Sequence, residues 1–140
     1  MSRTFLVVDR SAPIRMAVVA AIERREGSAA RVFEAETVED AMAKFLVRDP
    51  DVVFFGMPLA MDPARDIDVV RVMLDTAPTT KVVLLSVHGE EHPLVQQAFD
   101  VGAAALVRKP VRDAALEGAL DQVAPVRHAF VGRIAPLVPA

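Results

Sequence analysis

The chain has 140 residues, 53% of them hydrophobic and 25% charged, with a formal net charge of −3 at pH 7. That is the length and composition of one folded domain, and no run of Lys and Arg is dense enough to track phosphates, so DNA is not an expected partner. The absence of cysteine excludes a disulfide framework, a thiolate metal site and a thiol nucleophile, and the lack of any signal-peptide pattern or apolar run near ~20 residues leads us to expect a cytoplasmic protein with no membrane contact.

In chain order, "TFLVVD" (4–9) is apolar on both faces and predicts a buried central strand, which stops at Asp9 and Arg10 before Ser11, Ala12 and Pro13 open a helix. "ARVFEA" (30–35) predicts a second strand, and Thr37 with Asp40 three residues on resembles a capping box for "VEDAMAKFLVR". "DVVFF" (51–55) is a third strand, again apolar throughout, and Gly56 follows it. Asp62 and Pro63 then supply an N-cap and first helical residue for "PARDIDVVRVMLD". "KVVLLSV" (81–87) is a fourth strand carrying Ser86 at its end, with His88 just beyond, and a helix over about 91–101 stops at Gly102. "AALVR" (104–108) is the fifth, running into Lys109 and Pro110 and then a helix over about 112–124.

Five strand–helix pairs predict an α/β, doubly wound, five-stranded parallel sheet with helices on both faces. In such a sheet the functional crevice lies outside the carboxyl ends of the strands. The residues placed there are Asp9, Arg10, Glu36, Gly56, Ser86, His88 and Lys109.

The segments "LVVDRSAPIRM", "AETVEDAM", "PDVVFFGMPLAMD", "VVLLSVHGEE" and "VGAAALVRKP", in order and at matching spacing over roughly residues 3–123, resemble the receiver domain of response regulators. The resemblance implies the flavodoxin-like strand order 2-1-3-4-5. It also implies a chemistry, in which an aspartate after the third strand takes a phosphoryl group from a histidine kinase. Two acids after the first strand help that aspartate hold Mg2+, while a Ser or Thr after the fourth strand and a Lys before a proline after the fifth bind the phosphoryl oxygens. Carried over by position, the first-strand acids fall on Asp9 and Arg10, the acceptor on Gly56, the hydroxyl on Ser86 and the lysine on Lys109. The aromatic switch position falls on Leu106, and the proline expected four residues after the acceptor is Ala60, with Pro58 nearby.

The resemblance therefore implies a degenerate phosphorylation pocket, because glycine supplies no carboxylate nucleophile and an arginine replaces one metal ligand. One carboxylate now faces two cations, a set that should repel a divalent ion. We expect no catalysis, no metal and no cofactor. Two placements of Arg10 are open: turned inward, with its guanidinium gripping Asp9 where a metal would sit, or turned to solvent beside Glu36. Ser86 is expected to be a strand-end hydroxyl satisfied by nearby backbone, and the resemblance implies a cis Lys109–Pro110 bond.

"HGEEH" (88–92) matches a zinc-peptidase pattern in letters, but Gly89 and Pro93 predict a turn where that pattern needs a continuous helix. Residues 1–124 form the expected domain, and 125–140 form an apolar tail carrying Val126, Phe130, Val131, Ile134, Leu137 and Val138. Such a tail folds back on its own domain or is given to a partner or second copy. The expected function is a phosphorylation-independent pseudo-receiver, a protein–protein interaction module in bacterial-type two-component signalling. Its partner would be another signalling protein or a second copy, docking through the fourth helix, fifth strand, fifth helix and tail. The alternative is a small-ligand sensor holding an anion or nucleotide between Arg10, Lys109 and Ser86. Phosphotransfer onto Asp62 is set aside, since that residue is committed to a helix cap.

Overall fold

A computed structural model describes residues 2–125. Its elements alternate throughout: β1 (Arg3–Val8), α1 (Ala12–Glu26), a 3-10 turn (Gly27–Ala29), β2 (Ala30–Ala35), α2 (Val38–Arg48), β3 (Val52–Gly56), α3 (Pro63–Thr76), β4 (Lys81–Ser86), α4 (Pro93–Asp100), β5 (Ala105–Arg108) and α5 (Asp113–Gln122). All neighbouring strands pair parallel, in the order β2-β1-β3-β4-β5. This is the doubly wound sheet expected, in the expected order.

The central strands bury both faces, which is why their sequences lack polar alternation. Leu6, Val8, Val53, Phe55, Val82 and Leu84 pack with α2, α3 and α4 in one core. Phe5, Val7, Val52, Phe54, Val83 and Leu85 turn to the opposite face and pack with α1 and α5. The α1–α5 side is also tied by charge: Arg24 pairs with Asp113 (3.2 Å) and Arg25 with Asp121 (2.6 Å). Arg3 joins Glu26 (3.2 Å) and donates to the Val123 carbonyl (3.0 Å), anchoring the end of α5 to the first strand.

Element boundaries shift where side chains cap them. Gly56 belongs to the ladder, opposite Leu85, while Asp51 stands outside and accepts the Thr4 N–H at 2.8 Å. Thr37 caps α2 by accepting the Asp40 N–H (3.1 Å), but Asp40 turns its carboxylate to Lys44 (3.0 Å) instead of back to the cap. Aspartate is one methylene shorter than the usual Glu in that reciprocal bond. Asp62 caps α3 through the Ala64 N–H (3.0 Å), with Pro63 at the first helical position. The fourth and fifth helices are each shorter than 91–101 and 112–124, since Pro93 opens one and Asp113 the other.

Gly102, with φ 115°, makes the left-handed exit from α4. Asp49, with φ 47°, does the same for α2 without being glycine. No helix among the described residues is long and apolar enough to cross a membrane. The tail, 125–140, lies outside the described residues from 126 onward.

Candidate functional site

Asp9 leaves β1 with its N–H still bonded to the Ala35 carbonyl (3.1 Å), and that bond holds the residue at the carboxyl edge of the sheet, 2% exposed. Its Oδ1 accepts the Ser11 N–H at 2.8 Å, an Asx-type turn that also delivers Ser11 to cap α1 through the Ile14 N–H. Oδ2 lies 2.9 Å from Lys109 Nζ, an ion pair by distance without hydrogen-bond alignment. Lys109 arrives from the far side of the sheet, where its N–H bonds the Ser86 carbonyl (2.8 Å), and its Nζ also donates to the Met57 carbonyl at 3.2 Å. The pair therefore ties the ends of β1, β3, β4 and β5 together.

Gly56 lies directly beneath this pair. A Cβ placed there would fall 2.5 Å from Asp9 Cγ and nearer still to Oδ2. The space in which a side chain at residue 56 would grow is occupied by the Asp9 carboxylate, and only glycine permits the approach.

Arg10 is exposed and lines a separate cleft of about 220 Å3 with Glu36, Glu39, Leu59, Ala60 and Arg65. The inward placement of Arg10 on Asp9 is thus corrected: the partner of Asp9 is Lys109. Asp9 and Arg10 both lie beyond β1, and the turn in which Asp9 accepts the Ser11 N–H leaves the intervening Arg10 on the exposed side. Nor does Glu36 hold Arg10, since its carboxylate stands 3.9 Å from Arg15. Arg15 performs the arginine role in this region, donating to the Asp9 carbonyl (2.7 Å) and to Glu34 (3.0 Å) from the first turn of α1.

Ser86 is buried, and its Oγ accepts the His88 N–H at 3.0 Å. It lines a cavity of about 100 Å3 with Met57, Pro58, Asp66, His88 and Leu94, on the other side of β3 and α3 from the Arg10 cleft. Arg10 and Ser86 consequently do not line one cavity, and Lys109 is engaged with Asp9. The peptide bonds before Pro58 and Pro110 are both cis.

One residue of this region escaped the sequence analysis. Asp66 is fully buried, with Oδ2 accepting the Leu59 N–H (2.9 Å) and Oδ1 the Ala60 N–H (2.7 Å), and it clamps the loop between β3 and α3. Burial pushes its carboxyl above the ordinary aspartate range; the two N–H bonds and the Arg10 charge pull it back in part, while Asp62 adds to the rise. The available signal was its place on the apolar stripe of α3, one and two turns before Val70 and Met73.

The donor set does not fit a divalent cation. Asp9 is the one carboxylate in the pocket, its two oxygens face Ser11 N–H and Lys109, and no group of three His, Cys, Asp or Glu among the described residues could enclose a metal. His88 and His92, letters of the zinc pattern, stack on each other with ring centroids 3.7 Å apart.

Another recess lies elsewhere. A groove of about 490 Å3 runs between α4, β5 and the end of α5, lined by Glu90, Gln96, Phe99, Asp100, Leu106 and Gln122. Leu106 is half-buried and packs toward the α2–α3–α4 core.

The family model described as response regulator receiver domain matches residues 5–121. Among solved structures, the chain is similar to the chemotaxis response regulator CheY4 of Vibrio cholerae, at 22% identity over 88% of this chain and 99% of that one, with a TM-score of 0.74. It is also similar to the signal receiver domain of the response regulator NarL from Mycobacterium tuberculosis, at 25% identity over 87% and 96%, with a TM-score of 0.71. A CheY-like receiver protein from Methanospirillum hungatei matches at 19% identity over 87% and 93%, with a TM-score of 0.75. No curated protein sequence matches the chain.

Proposed function

Because this chain belongs to the response regulator receiver family, the non-catalytic receiving module of two-component signalling, we propose that it works there as a pseudo-receiver, binding a signalling partner without being phosphorylated. The observation that carries the reading is the Asp9 carboxylate lying over Gly56 and paired with Lys109. In the family's layout the acceptor aspartate falls on Gly56, so the position has neither a nucleophile nor room for one. The lysine that would meet a phosphoryl oxygen already holds a carboxylate oxygen. With its lysine already paired to Asp9, the pocket needs no phosphoryl group to be held together, and on this reading the binding face does not wait for a signal.

Binding is assigned to the groove between α4, β5 and α5, together with residues 125–140. Supporting this, the charged side chains lining the groove are the carboxylates Glu90 and Asp100, over an apolar floor of Phe99 and Leu106. Residues 126–140 carry Arg127, His128 and Arg133 among apolar residues and no acid, a segment complementary to such a groove. A second copy or another protein offering a basic, apolar segment fits the same surface. The anion-sensor reading gains no support from a pocket whose lysine is already paired and whose arginine lines another cleft.

The test is intact-mass analysis after incubation with a small-molecule phosphodonor and Mg2+. The expected result is an unchanged mass; a gain of one phosphoryl group overturns the reading. In the same experiment series, removal of residues 125–140 is expected to weaken partner binding or self-association while the far-ultraviolet spectrum stays that of the full chain.

A further inference from the structure

His92 is the N-cap of α4, and it caps with its ring: Nδ1 accepts the Leu94 N–H at 3.1 Å. The preceding residue of the first turn is Pro93, which has no N–H to donate, so the imidazole serves the first free donor of the helix. Serine, threonine, aspartate and asparagine cap with an oxygen that stays an acceptor above pH 5. An imidazole nitrogen is an acceptor only while it carries no proton, which requires His92 to be neutral with its proton on Nε2.

The His88 ring stacks on His92 at 3.7 Å between centroids and 18° between planes. Two neutral rings tolerate this distance, while two imidazolium ions at that separation repel. His88 is itself held to the end of β4 through its N–H bond to Ser86 Oγ (3.0 Å). The charged groups around the pair are Glu90 and Glu91 in the same loop, Arg108 from β5 and the buried Asp66 from α3, which shares a cavity with His88. The Glu91 carboxylate and the Arg108 guanidinium both come within about 3 Å of the Cβ position at Gly89, so they largely offset each other beside the rings.

We infer that the stacked His88–His92 pair is a proton-operated latch on α4. At neutral pH the His92 ring caps the helix and the stack holds the β4–α4 loop in one arrangement. Protonation of His92 puts an Nδ1–H against the Leu94 N–H, two donors with no acceptor between them, and the cap opens. A second proton, on His88, separates the rings. The helix so released carries Gln96, Phe99 and Asp100 of the groove, and the latch therefore couples the groove's shape to acidity. The device depends on His92 and is independent of what the groove binds.

The experiment is nuclear magnetic resonance on the full chain between pH 8 and pH 5. At pH 8 the imidazole nitrogen shifts of His92 should report the Nε2–H tautomer. On acidification, protection of the Leu94 amide against hydrogen exchange, corrected for the intrinsic pH dependence, should fall about fivefold relative to α1, the equilibrium equivalent of losing one cap. His92→Asn, whose side-chain oxygen caps at any of these pH values, should hold that protection constant. An Nδ1–H tautomer at pH 8, an unchanged Leu94 amide in the wild-type chain, or the same fall in His92→Asn would each overturn the latch.

Discussion

The pocket at the carboxyl edge of the sheet and the groove between α4, β5 and the end of α5 are opposites. Over Gly56 the space is filled: a carboxylate, a lysine and a glycine fit so closely that an added side-chain atom must displace Asp9. Between α4, β5 and α5 the space is open and rimmed by carboxylates over a Phe99 and Leu106 floor. On the proposed reading, the closed pocket is the former phosphorylation site and the open groove is the binding surface. The pocket is completed by groups from the ends of β1, β3, β4 and β5, and the groove by α4, α5 and the body of β5.

Breaking the filled pocket should have the largest effect. Lys109→Met leaves Asp9 buried without its cation and should cost roughly 3–5 kcal/mol, seen as a lower denaturant midpoint. Gly56→Ala forces a methyl group into the Asp9 carboxylate and should cost about 1–3 kcal/mol by the same measurement. If both variants proved neutral, the pocket would not be closed as described.

The Asp66 clamp sharpens the comparison by pH. Its carboxyl is raised in the folded chain from an ordinary value of 3.8, so the stability it contributes is full below that value and is lost as pH rises through the folded one. Asp66→Asn should therefore remove a fall in stability on the alkaline side of pH 3.8, measured as the difference in unfolding free energy between variant and parent across that window. A parent and variant with parallel pH profiles would place the clamp's energetics elsewhere. The smallest effect is expected at the rim: Arg10→Ala should change stability by under ~0.5 kcal/mol, because Arg10 is exposed and makes no ion pair within 4.0 Å among the described residues.

That last expectation also marks how far the sequence was legible. The central strands announced themselves by apolar runs on both faces, and the helix starts at Asp62–Pro63 and Thr37 by their caps; the sheet order followed from the resemblance. The pocket's members were also legible, since each ends a strand. Their pairing was not. Arg10 adjoins Asp9 in the chain, yet the turn at Asp9 leaves Arg10 exposed, while Lys109, a hundred residues away in sequence, reaches Asp9 because β5 and β1 both end at the same edge. Asp66 was hidden for a related reason: its two partners are backbone N–H groups of a loop whose path no side-chain pattern reports. At Asp49 the left-handed helix exit has no glycine to signal it.

On the proposed reading, the groove stands in its binding state without a signal from the pocket. The most direct measurement is the amide spectrum of the full chain with and without beryllofluoride and Mg2+, which together mimic a phosphoryl group on a receiver aspartate. The account predicts no change at Phe99, Asp100, Leu106 or Gln122. Saturable, Mg2+-dependent shifts at those residues would contradict it, because they would require the pocket to take the anion and the groove to respond.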